Sequence, residues 1–197
     1  ILSKLTKVSK VRGIRQIINY DPSWPRNVGL GNLLQDKKWI NGFGELHQFS
    51  LSFDLQLNPH QYLIASKLIS KYPETVVIID HLGTPSIEDL TKNSDQYWQG
   101  MEALASCGNV FIKISMLSYI HKNWDKINLV KDTVYRIIEI FGINRCFFAS
   151  NFPVDKNDGW PAEKLYSAFL KVANKNFSTQ EIIKLFSENA KKAYRYN

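Results

Sequence analysis

The chain has 197 residues, 44% apolar and 22% charged, an ordinary composition for one soluble domain with a sizeable core. No run approaches the ~18 apolar residues of a membrane span, and the start lacks the basic-then-apolar pattern of a secretory signal. The net charge of +7 is spread along the chain, with Lys191, Lys192 and Arg195 the one dense cluster, so it reads as solvated helix faces and a mild field for small anions, not a nucleic-acid surface.

In chain order, the first strand is predicted at residues 11–18 (VRGIRQII) and the second at 51–57 (LSFDLQL). A helix follows over 60–71, with Tyr62, Leu63, Ala65, Leu68 and Ile69 at helical spacing behind Asn58-Pro59. The third strand is 75–80 (TVVIID), and the helix after it, 94–106, closes near Gly108. Strand 109–115 (NVFIKIS) leads to helix 124–141, and strand 145–150 (RCFFAS) to two consecutive helices, 161–173 and 178–194. Ser178 and Glu181 have capping-box spacing at the start of the last. Several strands are apolar on both faces, as strands buried on both sides are. Cys107 and Cys146 each lie in or beside an apolar stretch and read as reduced, buried thiols of a cytoplasmic protein. Two unclustered cysteines and four histidines exclude a structural zinc site of the C-x-x-C type.

Strands alternating with helices imply a parallel sheet with right-handed crossovers, so the class is α/β over a single domain, 1–197. A dinucleotide fold is poorly supported, because Gly29-Leu30-Gly31 lacks the third glycine and a preceding apolar strand; no P-loop motif occurs. Polar residues instead gather at the C-terminal ends of all five strands: Arg15, Gln56, Asp80-His81, Lys113 to Ser115, and Ser150-Asn151. That distribution favours a barrel over an open sheet, which binds mainly at one switch point.

The segments VRGIRQ, SFDLQLNPHQ, VIIDHLGTP, WQGMEALASCGNVFIKIS and RCFFASNFPVD occur in an order that resembles the amidohydrolase-related lactonases, which include pyrone-dicarboxylate and sugar-lactone hydrolases. The resemblance implies a (β/α)8 TIM barrel of which this chain carries about the last five strand–helix units. His81 then matches the strand-six histidine. The H-x-H pair expected on strand one is not in the sequence, and the chain begins with Ile1, so strands one to three are expected to be missing. The outer strands 11–18 and 145–150 would then be exposed apolar edges unless something covers them.

By that resemblance His81 polarises a substrate carbonyl, or ligates a metal if one is bound. Asn151 stands where many relatives have an aspartate base; an amide positions water but cannot deprotonate it, and Asp155, four residues on, is the candidate carboxylate. Arg15 and Lys113 are expected to hold an anionic group and Gln56 and Ser115 to bind substrate hydroxyls, with Asp80 orienting a neighbour. Trp160 is the tryptophan placed to flank a ligand. The expected reaction is attack of water on a small anionic or sugar-like lactone, with no cofactor required or a divalent metal of the zinc type in the full-length protein, and with oligomer formation open. The alternatives are a truncated non-catalytic or pseudoenzyme fragment and an amidohydrolase-type decarboxylase.

Overall fold

The computed structural model describes residues 2–8, 10–25 and 31–196; Ile1, Asn197 and the Gly29-Leu30 pair lie outside them. All five predicted strands form, each shorter than its apolar run: Gly13–Ile17 (β1), Ser52–Gln56 (β2), Val77–Ile79 (β3), Val110–Ile114 (β4) and Cys146–Phe148 (β5). They make one sheet in the order β1-β2-β3-β4-β5, every neighbouring pair parallel. Sequential order without a reversal is the winding of a barrel; a doubly wound sheet changes direction at its switch point. The architecture is therefore α/β of the TIM-barrel type, with five strand–helix units.

One long helix follows each strand: Lys37–Gly44 (α1), Tyr62–Ile69 (α2), Ser94–Ala105 (α3), Asn128–Phe141 (α4) and Ala162–Asn176 (α5). Alternation along the strands sends Phe53, Leu55, Val77, Ile79, Val110, Ile112, Ile114, Cys146 and Phe148 into the core shared with these helices. Ile78, Phe111 and Phe147 form a second apolar cluster on the other face. Both cysteines are buried and unbridged. No described helix is long and apolar enough to cross a membrane.

The C-terminal helical run explains what covers that second face. Ser178 and Glu181 make the expected reciprocal cap, with Ser178 Oγ accepting from the Glu181 amide and the Glu181 carboxylate accepting from Ser178. Helix Thr179–Ile183 (α6) continues through a wider π-type turn, Lys184–Glu188, into Asn189–Tyr194 (α7). Asn189 Nδ2 donates to the carbonyls of Ile143 (2.6 Å) and Cys146 (2.7 Å), tying the run to the start of β5. Ala193 then packs with Ile78, Phe111 and Phe147, joined by Ala190 and Tyr194. β1 and β5 are the outermost strands of the sheet, the two edges expected. The β5 side chains are buried against Phe169, Phe186 and Tyr194, whereas Ile17 on β1 stays 48% exposed.

Candidate active site

The site begins at the turn after β3. His81, Leu82, Gly83 and Thr84 all have positive φ (58°, 51°, 81° and 62°), a conformation that is costly for the three residues with side chains. Hydrogen bonds from several elements hold it. Tyr62 Oη donates to the Gly83 carbonyl (2.8 Å) and Tyr97 Oη to that of Leu82 (3.0 Å). Thr84 Oγ1 donates to the Leu57 carbonyl at the end of β2 (2.7 Å), and the Thr84 amide to His81 (2.7 Å). A Cβ on Gly83 would collide with the Tyr62 hydroxyl, so the position requires glycine. Met116 and Asn151, just past β4 and β5, are also left-handed (56° and 52°). Strain is thus concentrated at the C-terminal ends of three adjacent strands.

This turn places the His81 imidazole, itself 5% exposed, between two neighbours. Arg15 Nη2 lies 3.1 Å from Nε2, and Ser115 Oγ lies 2.8 Å from Nδ1. A guanidinium has donors and no acceptor, so Nε2 must accept and the neutral ring carries its proton on Nδ1. Nδ1–H then donates to Ser115, whose own hydroxyl hydrogen is left to point at another acceptor. Burial first, then the charges of Arg15 and Lys113, push the His81 pKa down to about 3, against an opposing pull from Asp54. The expected carbonyl-polarising role would need a hydrogen on Nε2, and this arrangement puts it on Nδ1.

Arg15 is the hub of the cluster. Its Nη2 also donates to Gln56 Oε1 (2.8 Å), and its Nε pairs with Asp80 Oδ2 (3.1 Å). Its Nη1 has no partner among the described residues. The side chain is 47% exposed, so a ligand can reach it.

Lys113 departs from the expectation that it holds substrate. Its ammonium sits 2.5 Å from Asp54 Oδ2 and 2.9 Å from Asp80 Oδ1, and is 13% exposed. An unpaired ammonium there would be costly, and two carboxylates neutralise it. Asp80 has no well-directed hydrogen bond to either carboxylate oxygen, yet both are ion-paired, one to Arg15 and one to Lys113, which fits the orienting role expected for it. Asp54 and Tyr194 were missed. Asp54 faces the same way as Gln56, two residues on, and alternation within LSFDLQL was the available signal. Tyr194 Oη donates to both Asp54 oxygens at 2.8 Å from 140 positions away, a contact no local pattern announces. Burial raises the Asp54 pKa against the pull of Lys113, and desolvation with the Asp54 charge raises that of Tyr194.

Asn151 and Asp155 form a separate pair. Asn151 Nδ2 is 3.3 Å from Asp155 Oδ1, which also accepts from Ser118 Oγ at 2.8 Å. The Asp155 carboxylate is further bonded to the backbone of Met116, so it braces the loop after β4. It is 1% exposed and its pKa is raised, chiefly by burial. This committed geometry argues against its expected use as an open base. Trp160 does not flank the mouth; it is 1% exposed, its Nε1 donates to Lys122, and its ring packs 5.1 Å from Trp124. A groove of about 710 Å³ between α4 and α5 is lined by Tyr135, Trp160 and Lys171 among others; of the residues expected near a ligand, Trp160 alone borders it.

The described residues do not make a metal site by themselves. No three His, Cys, Asp or Glu side chains converge among them, and both nitrogens of His81 are engaged, one by a cation.

The profile of the Amidohydrolase family (Amidohydro_2) matches residues 7–196. The uncharacterized protein y4mH of Sinorhizobium fredii is 32% identical over 196 residues, which is 99% of this chain and 64% of that protein. The chain thus spans less than two thirds of that relative's length. A zinc-bound amidohydrolase from Burkholderia multivorans superposes with a TM-score of 0.79 at 16% identity, over 93% of this chain and 64% of that one. A Pseudomonas putida protein described as a candidate 2-pyrone-4,6-dicarboxylic acid hydrolase gives 0.78 at 15% identity, over 100% and 68%. At these identities the two structures show a shared fold.

Proposed function

The chain belongs to the amidohydrolase family Amidohydro_2, and on that premise we propose that the protein is a hydrolase that opens the ester ring of a small anionic lactone with water. The observation that carries the reading is the meeting of Arg15, Gln56, His81 and Ser115 at the C-terminal ends of β1 to β4. A barrel enzyme puts its chemistry at that end. The resemblance of the P. putida protein to this chain supports a ring carboxylate as the anionic group.

In this mechanism the open edge of Arg15 takes a carboxylate of the substrate as a two-pronged donor. Ser115, buried, holds the Nδ1–H of His81 and so fixes the ring, and Gln56 keeps Arg15 in register. Asn151 holds the water. As water adds to the carbonyl carbon, its proton passes to Nε2 of His81, whose lowered pKa the substrate carboxylate raises by offsetting the neighbouring Arg15 charge. The ring C–O bond then breaks, the departing oxygen takes that proton back, and a hydroxy acid leaves with His81 neutral again. Asp80 and Lys113 do not touch substrate; they fix Arg15 in place.

Incubation with 2-pyrone-4,6-dicarboxylate and a panel of sugar lactones, followed by ring absorbance and by acid release at constant pH, tests the proposal. Ring opening of a carboxylate-bearing lactone supports it. Absence of opening across the panel contradicts it and favours a non-catalytic role.

A further inference from the structure

The contact that fixes the His81 tautomer also blocks the nitrogen that the reaction needs. Nε2 is the acceptor atom, and Arg15 Nη2 occupies it at 3.1 Å. The same arginine is half exposed, has an Nη1 without a partner among the described residues, and is anchored through Nε to a fully buried Asp80 carboxylate. A tilt of the whole planar guanidinium, hinged at the Nε–Asp80 ion pair, would move Nη2 off Nε2. Of the two contacts that Nη2 makes, the one to the imidazole is the longer, 3.1 Å against 2.8 Å to Gln56 Oε1, and the third contact of the side chain is an ion pair.

We propose that Arg15 is a carboxylate-operated gate on His81: a bound carboxylate takes both Nη atoms, and Nε2 is released only then. This rests on the reading of His81 as the proton acceptor. A neutral ring compound cannot displace the guanidinium, so it meets a masked histidine. The substrate's own anion thus arms the site, and specificity for anionic lactones becomes a matter of turnover as well as affinity. Lys113 cannot substitute for Arg15 in this role, because Asp54 and Asp80 hold its ammonium on both sides.

The test needs no turnover. Protein labelled with 15N at the histidine rings is observed by NMR at pH 7.5, and the His81 signals are assigned by their loss in His81→Gln. The ligand-free protein should show an unprotonated Nε2 that accepts a hydrogen bond. Isophthalate, a ring dicarboxylate with no ester to open, should shift that resonance toward the value of an unbonded nitrogen; benzamide should leave it in place. Arg15→Lys keeps a charge for Asp80 but has no fork. Its Nε2 should already lie at the released position without ligand, and isophthalate should move it no further. An Nε2 signal unmoved at saturating isophthalate, an equal shift in Arg15→Lys, or no binding of isophthalate by calorimetry would each overturn the gate. Intact gating in a protein that opens no lactone would overturn the hydrolase reading and leave the gate standing.

Discussion

Arg15 Nη2 lies 3.1 Å from His81 Nε2, bridging 66 positions of sequence. The parallel register carries one residue to the other: Arg15 lies opposite Asp54 on β2, and β3, which ends at the His81 turn, is the next strand. The first prediction concerns this pair. Arg15→Gln should cost a carboxylate-bearing lactone about 2 kcal/mol of transition-state stabilisation, roughly a thirtyfold fall in kcat/KM, and a neutral lactone much less. Parallel kinetics on both substrates check this; equal losses would remove Arg15 from anion recognition.

The buried neutral state of His81 gives acid sensitivity with a definite sign. Its folded pKa of about 3 lies below the ordinary 6.5, so the unfolded chain binds the proton first as pH falls. Its contribution to stability is complete above about pH 6.5 and is lost progressively toward pH 3, at about 1.4 kcal/mol per unit. Between pH 7.5 and 5.5 the protein should therefore lose about 1.4 kcal/mol more than His81→Gln does. Urea unfolding of both proteins at the two pH values measures the difference. The raised carboxyls of Asp54 and Asp155 act in the opposite sense and are common to both proteins, so they cancel.

The pairing of Lys113 with two carboxylates should make it a stability residue first. Lys113→Met leaves Asp54 and Asp80 facing each other in a site where all three side chains are at most 14% exposed. The expected cost is about 3 kcal/mol, and Tyr194→Phe, which removes the hydroxyl donor to Asp54, should cost about 1.5 kcal/mol. Non-additive losses in the double variant, read by chemical denaturation, would place Tyr194, Asp54 and Lys113 in one coupled unit. Strict additivity would separate them.

Gly83 offers a test of the strained turn. Gly83→Ala puts a methyl group against the Tyr62 hydroxyl at a residue with φ of 81°. It should destabilise the protein by about 1–3 kcal/mol, and Tyr62→Phe, which removes the colliding oxygen, should recover part of that loss. A neutral Gly83→Ala would mean that the turn relaxes freely.

The strand count, the parallel class and the barrel winding were legible in the sequence because they follow from periodicity and from polar residues at strand ends. The same signal found His81, Arg15, Gln56 and Ser115, which the fold does bring together. It misassigned Lys113, since a lysine in VFIKIS shows a need for partners without naming them. It missed Tyr62 and Tyr97 as supports, because their rings pack at ordinary helical core spacing while their hydroxyls hold the His81 turn. Asp155 looked like a spare carboxylate four residues past Asn151, and only the fold shows it bracing Met116 and Ser118. Long-range partners are what a local pattern cannot supply.

The most direct test of the central claim is kcat/KM for opening of 2-pyrone-4,6-dicarboxylate by the protein and by His81→Asn, with folding of the variant verified by its unfolding curve. Loss of the proton acceptor predicts a fall of about 10²–10⁴ in the variant. A variant that opens the ring as fast as the unaltered protein would contradict the assignment of His81.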